Sequence, residues 1–134
     1  MTNSIKTLLW VIAEFVLVFV LLSLPGNNLN DHSSWISKTM ALPFADKLVH
    51  MGLFGSLALS LFFHFEMLTD ARYKTTRAKA IALIICILYG IGMEYYQKYY
   101  IPSRGFEVLD MLADALGALC ALPLFVFVGK RFFK

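Results

Sequence analysis

The chain contains little charge and very little cysteine. Asp, Glu, Lys and Arg together make up 16% of its 134 residues, whereas hydrophobic residues make up 59%. A soluble globular domain has about 25% charged residues, so the composition excludes an ordinary protein of that class. Cys86 and Cys120 are the two cysteines and both lie in apolar stretches, which indicates small packing residues rather than a disulfide.

Several common binding signatures are also missing. The sequence contains no internal repeat, no glycine-rich phosphate loop and no basic stripe with interleaved aromatic residues. The net charge of +3 therefore indicates charged loops beside a membrane and not a nucleic-acid-binding surface.

What the chain does contain is long apolar stretches. A helix needs about 20 apolar residues to cross the hydrocarbon core of a bilayer, and the residues in lipid must satisfy their own backbone hydrogen bonds. We predict an all-α integral membrane protein that forms a compact four-transmembrane-helix bundle in one domain, residues 1–134. The predicted helices are 5–24, 44–65, 79–96 and 110–128.

Positive charge is distributed unevenly between the ends of these helices. Cytoplasmic loops carry an excess of Lys and Arg, so the asymmetry predicts that both termini are cytoplasmic (N-in/C-in) in a multi-pass protein of the bacterial cytoplasmic membrane. Residues 25–43 and 98–109 then form external loops, and Trp35 with its neighbours predicts a short interfacial segment in the first. The cytoplasmic cations are Lys6, Arg72, Lys74, Arg77, Lys79, Lys130, Arg131 and Lys134, against Lys38, Lys47, Lys98 and Arg104 outside.

Polar side chains cluster at the predicted outer ends of helices 2, 3 and 4. Ionisable groups at membrane depth are costly, so each is a candidate functional residue. A rise of 1.5 Å per residue places His50, Glu94 and Asp114 at similar depth. Residues three and four apart share a helix face, and small residues such as Gly117 let such faces approach closely. The candidate ligand-binding residues are Asp46, Lys47, His50, Glu94, Gln97, Arg104, Asp110 and Asp114.

Three segments carry a resemblance to a known family. They are DKLVHMGLF (46–54), GIGMEYYQ (90–97) and RGFEVLDMLADALG (104–117), and in this order and spacing they resemble the VanZ-like family. The resemblance implies a small bacterial multi-helix membrane protein, and the family's namesake is associated with resistance to the glycopeptide teicoplanin. The family pattern usually has Asn where this chain has Asp114, so the site here carries an additional acidic group.

The first functional hypothesis is recognition of a polar or anionic cell-envelope molecule. Lys47 and Arg104 provide cationic donors suited to phosphate or carboxylate groups, and the acids and Gln97 provide hydrogen-bonding partners for sugar or peptide groups. A lipid-linked cell-wall precursor or a phospholipid head group would fit this location.

The second hypothesis is a membrane-embedded enzyme that acts on the same class of molecule. His50, Glu94 and Asp114 are the candidate catalytic residues, with a carboxylate such as that of Asp46 orienting the imidazole. Oxygen-rich ligands with one histidine would admit Mg²⁺ or Mn²⁺. No Ser-His-Asp arrangement and no metal-binding motif of established spacing is present, so no residue is assigned as a metal ligand and the cofactor stays open.

The third hypothesis is purely architectural. Lys47 or Arg104 would pair with Asp110, Glu94 or Asp114 to fix helix register. Glu14, near the middle of the first helix, has its own alternatives: a protonated side chain, a bond to a neighbouring helix, or part of a proton path.

Overall fold

Four long helices make up the described part of the protein. The computed structural model describes residues 3–24, 44–68 and 76–132, and within these ranges the elements are α1 (Asn3–Leu22), α2 (Ala45–Met67), α3 (Thr76–Tyr100) and α4 (Val108–Phe132). All four are long and apolar enough to cross a membrane. The prediction of an all-helical, multi-pass membrane protein is confirmed.

The helix boundaries differ from the sequence prediction by a few residues at most ends. The largest differences at the site are that α3 continues to Tyr100 and that α4 begins at Val108, which leaves a short connection between them. The predicted interfacial segment in 25–43 lies outside the described residues. The N-in/C-in orientation stays a prediction.

Helix α2 is the central element. It contacts α1, α3 and α4, whereas the described residues show no contact between α1 and α4. The contacts of α2 with α4 are the most extensive. A polar residue near the start of α2 therefore lies close to both neighbouring helices that carry acidic residues.

Glycines make the close crossing of α2 and α4 possible. A Cβ atom at Gly117 would overlap the backbone of Met51, and one at Gly55 would lie 3.1 Å from the carbonyl oxygen of Gly117. Small residues permit this approach in a membrane, where packing rather than the hydrophobic effect holds helices together. The crossing brings the first turns of α2 and α4 together and so positions the site.

Below the crossing the helices pack around an apolar core. Phe54, Leu57 and Phe62 of α2 are fully buried, as are Cys86 of α3 and Ala118 of α4. The outward faces carry large exposed apolar side chains, as a surface in lipid requires. Both cysteines are free; Cys86 is buried, as expected of a packing residue, whereas Cys120 is exposed on α4.

Candidate functional site

Acidic and basic side chains gather where α2 and α4 begin and α3 ends. We call this set the polar cluster. Its members are Asp46, Lys47, His50, Glu94, Glu107, Asp110 and Asp114. His50, Glu94, Asp110 and Asp114 are at most 3% exposed, which is unusual for ionisable groups. The structure therefore brings together six of the eight residues that the sequence indicated and adds Glu107.

Lys47 is surrounded by carboxylates. Its Nζ lies 2.8 Å from Asp46 Oδ2, 2.7 Å from Asp110 Oδ1 and 2.5 Å from Glu107 Oε2. A lysine ammonium has three donors; Asp46 and Glu107 each accept a hydrogen bond from it, and Asp110 forms an ion pair. Lys47 thus neutralises acids of the cluster, and its direct contact with an anionic ligand stays a prediction.

His50 and Asp114 form a buried pair. His50 Nδ1 lies 2.8 Å from Asp114 Oδ1, and each side chain is 1% exposed. The sequence had suggested Asp46 as the carboxylate that orients this imidazole, but Asp46 pairs with Lys47 instead. With Nδ1 protonated and donating to Asp114, His50 presents the lone pair of Nε2. Asp110 Oδ2 lies 3.9 Å from that nitrogen.

Glu94 is held through one carboxylate oxygen only. Its side chain is completely buried, and Oε2 accepts a hydrogen bond of 2.9 Å from the backbone N–H of Glu107. One turn earlier on α3, a Cβ at Gly90 would lie 2.7 Å from Asp114 Oδ2. The glycine therefore leaves the space that the Asp114 carboxylate occupies.

Four buried atoms of the cluster make no hydrogen bond to any described residue. They are His50 Nε2, Glu94 Oε1, Asp114 Oδ2 and Asp110 Oδ1, the last of which still forms an ion pair with Lys47. A buried polar atom left unsatisfied costs about 1–3 kcal/mol. Five carboxylates also face one lysine and one histidine, so the cluster has an excess of negative charge. This arrangement favours a bound cation or a hydrogen-bond donor.

Two sets of residues have the geometry to hold a metal ion. His50, Glu94 and Asp110 each offer one donor atom within 4.8 Å of the other two, and so do Asp46, Glu107 and Asp110. The second set already surrounds the ammonium of Lys47. The first set is the one whose donor atoms stay available.

Gln97 and Arg104 stand apart from the cluster. Gln97 is buried and donates from Nε2 to the carbonyl oxygen of Leu22 at 2.9 Å, so it satisfies the end of α1. Arg104 is the last residue of the turn Ile101–Arg104, in which Ser103 has a φ of 65°. Within the described ranges, Arg104 forms no ion pair, and its buried Nε has no hydrogen-bond partner. Its guanidinium is therefore available to a ligand.

Glu107 is the site residue that the sequence reasoning did not select. It lies just before α4. Its backbone N–H donates a hydrogen bond to Glu94, and its carboxylate pairs with Lys47. A usable signal was its spacing of three residues from Asp110, which places the two acids on the same side of the chain at the start of α4.

Comparison with known proteins gives a family but no activity. A protein of Schizosaccharomyces pombe, named "Uncharacterized protein C11E3.10", is 28% identical over 93 residues, which is 69% of this chain and 53% of that protein. This chain thus spans about half the length of that relative. No solved structure matches significantly. A family model described as VanZ/LLP1 matches residues 7–129, nearly the whole chain. The protein is a member of the VanZ/LLP1 family.

Proposed function

We propose that the protein binds the head group of an anionic, lipid-linked molecule at the polar cluster. The observation that carries the proposal is the set of buried polar atoms without a protein partner at one end of a membrane bundle. A ligand with hydroxyl or amide donors would satisfy the free oxygens of Glu94 and Asp114. An anionic group on the same ligand would pair with Arg104, whose planar donor array suits phosphate.

A groove beside the cluster supports a lipid as the ligand. Its volume is about 450 Å³, and it runs along the α2–α4 crossing from Met51, next to His50, to Leu59 and Leu124. Gly52 lines this groove, and a Cβ there would meet no atom within 4 Å. An apolar chain lying in the groove would place its head group at the polar cluster.

The ligand is best defined by its chemistry. A yeast protein is similar to this chain, whereas the family resemblance is to bacterial proteins, so a ligand class common to yeast and bacteria is preferred. Phosphorylated lipids occur in the membranes of both groups of organisms. In a bacterium, a lipid-linked cell-wall precursor would meet the same requirements, and sequestering it would alter susceptibility to teicoplanin. That link and the location in the bacterial cytoplasmic membrane belong to the proposal.

Binding can be measured with a matched pair of lipids. A polyprenyl phosphate and the corresponding polyprenol differ only in the phosphate, so the purified protein in maltoside detergent should bind the phosphate form more tightly. Arg104→Ala should weaken that binding by about 10- to 100-fold and leave polyprenol binding unchanged. Arg104→Lys should also weaken it if both guanidinium nitrogens contact the phosphate. Equal binding of the two lipids, unaffected by Arg104→Ala, would contradict the proposal.

The predicted orientation places the cluster on the outer side of the membrane. Single cysteines at Ser33, Ser103 and Thr75, in a Cys86→Ala/Cys120→Ala background, report which loops face outward. An impermeant thiol reagent on intact cells should label positions 33 and 103 but not 75. The reverse pattern would move the site to the cytoplasmic side.

A second candidate function is hydrolysis of a phosphate ester or related bond. The 2.8 Å contact of His50 Nδ1 with Asp114 favours it, because a carboxylate that orients an imidazole equips it as a general base. Release of inorganic phosphate from the polyprenyl phosphate, lost in His50→Ala, would establish an enzyme. Binding without turnover would leave the protein as a lipid-binding module.

A further inference from the structure

We infer that His50, Glu94 and Asp110 form a binding site for one divalent metal ion, with Asp114 and the backbone N–H of Glu107 as its outer shell. One donor atom from each of the three residues lies within 4.8 Å of the other two. All three residues are at least 97% buried, since their exposed fractions are 1%, 0% and 3%. The site draws on α2, α3 and α4, so a bound ion would tie these helices together.

In each of the three residues, one polar atom contacts another group of the cluster, and a second polar atom is left for a metal ion. Asp114 holds His50 at Nδ1, the Glu107 amide holds Glu94 at Oε2, and Lys47 holds Asp110 at Oδ1. Nε2 of His50 and Oε1 of Glu94 have no partner among the described residues. These are the atoms that a metal ion would bind.

The outer shell is of the kind that metal-binding histidines use. A ligating imidazole generally donates its second N–H to a carboxylate or carbonyl, which fixes the tautomer and the ring orientation. Asp114 supplies this carboxylate, and Asn, which the resembling family usually has at this position, would offer a carbonyl oxygen instead. The Glu94 carboxylate is oriented in the same way by the Glu107 amide.

The distances require a small contraction. Donor atoms bound to one metal ion at about 2.1 Å lie roughly 3.0–3.4 Å apart, depending on the coordination geometry. His50 Nε2 and Asp110 Oδ2 are 3.9 Å apart, so this pair would need to close by about 0.5–0.9 Å, and the pairs with Glu94, which lie within 4.8 Å, by at most about 1.8 Å. Rotation of the carboxylates about their side-chain bonds supplies movements of that size.

The donor set indicates the class of metal. Carboxylate oxygens suit Mn²⁺ and Mg²⁺, and an imidazole nitrogen suits first-row transition metals. One nitrogen and two carboxylate oxygens therefore favour Mn²⁺ or Zn²⁺ over Ca²⁺. Three protein ligands also leave coordination positions open. If the proposed function holds, a phosphate oxygen of the ligand would take one of them, which reconciles an anionic ligand with a cluster rich in acids.

Metal binding can be tested without any lipid. Untagged full-length protein in maltoside detergent is titrated with MnCl₂, and free Mn²⁺ is followed by its electron paramagnetic resonance signal. One ion per chain should bind, and Zn²⁺ should displace it. Glu94→Gln and Asp110→Asn should each weaken binding at least 10-fold, and Asp114→Ala about 10- to 100-fold through the histidine. Glu14→Gln is the matched control and should leave binding unchanged.

A spectroscopic measurement on folded protein avoids reliance on a damaging substitution. The chain has three histidines, so His32→Gln/His64→Gln retains His50 as the last imidazole. Electron spin echo modulation of bound Mn²⁺ in that variant should show coupling to one imidazole nitrogen. Loss of the coupling in this variant, or equal Mn²⁺ binding by wild type and Glu94→Gln, would overturn the inference.

The outcomes separate the metal site from the proposed function. Stoichiometric Mn²⁺ binding with no effect on affinity for polyprenyl phosphate would support the metal site and remove the metal from ligand recognition. Phosphate-dependent lipid binding by a protein that binds neither Mn²⁺ nor Zn²⁺ would support the proposed function and reject the metal site.

Discussion

Two sets of polar side chains lie between helices of this bundle, and they differ in whether their atoms are satisfied. Between α1 and α2, three contacts form a ladder in which residue numbers rise on one helix as they fall on the other, as antiparallel helices require. The pairs are Thr7 Oγ1 with His64 Nδ1 at 2.9 Å, Trp10 Nε1 with Ser60 Oγ at 3.2 Å, and Ser56 Oγ with Glu14 Oε2 at 3.3 Å.

The ladder consists of polar side chains that bond one helix to its neighbour. None of its side-chain atoms is among the buried atoms that lack a partner in the described residues. Glu14 belongs to the ladder and accepts a hydrogen bond from Ser56 of the neighbouring helix, which is one of the alternatives that the sequence left open. The polar cluster has the opposite character, because His50 Nε2, Glu94 Oε1 and Asp114 Oδ2 stay unpaired. A purely architectural network would have no reason to retain such atoms.

The largest loss of stability should come from a substitution at the α2–α4 crossing, which assembles the polar cluster. Gly117→Val places side-chain atoms where the Met51 backbone lies, and the backbone cannot move aside as a flexible side chain would. We expect a loss of about 3 kcal/mol or more, and hence little monodisperse protein in size-exclusion chromatography. Gly92→Ala is the control, because a Cβ there meets no atom within 4 Å. Normal yield of Gly117→Val would contradict the described crossing.

The next largest effect should be a loss of binding affinity in Glu94→Gln without a loss of stability. Glu94→Gln keeps an oxygen for the Glu107 amide but removes a buried charge, so binding of Mn²⁺ and of polyprenyl phosphate should fall about 100-fold, or about 2.7 kcal/mol. The free energy of unfolding should be unchanged or up to about 1 kcal/mol higher, because no cation compensates that charge within the described chain. Thermal unfolding followed by circular dichroism checks this. A large loss of stability would instead favour the architectural hypothesis.

Gly52 allows the lipid groove to be tested without disturbing the polar cluster. Gly52→Leu should fill space between Met51 and Leu59 and weaken binding of the long-chain polyprenyl phosphate about 10-fold, or about 1.4 kcal/mol. Binding of a short-chain alkyl phosphate, measured by competition, should change little. Gly92→Leu on α3 is the matched control outside the groove. Equal weakening of both phosphates would show that the groove does not hold the chain.

The smallest change should be the loss of stability caused by a substitution in the ladder between α1 and α2. Ser60→Ala removes the acceptor of the Trp10 N–H and should cost about 1 kcal/mol of stability. Binding of metal and lipid should be unchanged, because Ser60 lies near the opposite end of α2 from His50. A change in affinity larger than about threefold would mean that the two polar regions are coupled.

The sequence was sufficient for the helices and for the faces they bury. Apolar runs of about 20 residues predict spans, and three- and four-residue spacing correctly put Glu94 with Gln97 and Asp110 with Asp114 on buried faces. Counting residues from the helix ends also placed His50 level with Asp114, as their 2.8 Å contact confirms.

The partners across helices could not be predicted from spacing. Asp46 shares a helix face with His50, yet the close approach at Gly117 lets Asp114 reach the imidazole first. Gln97 is likewise diverted to the Leu22 carbonyl by the position of α1. Such pairings depend on how the helices cross and how they are rotated relative to one another. A single sequence predicts each helix separately and not these relations.

Co-purified lipid is the most direct measure of whether the polar cluster is a binding site. Native mass spectrometry of the wild type and of His50→Ala/Glu94→Gln, prepared identically from the same membranes, reports the phosphorylated lipid that each retains. We predict bound phosphorylated lipid in the wild type, little or none in the double variant, and wild-type retention in Ser60→Ala. Equal retention by the wild type and a folded double variant would contradict the account.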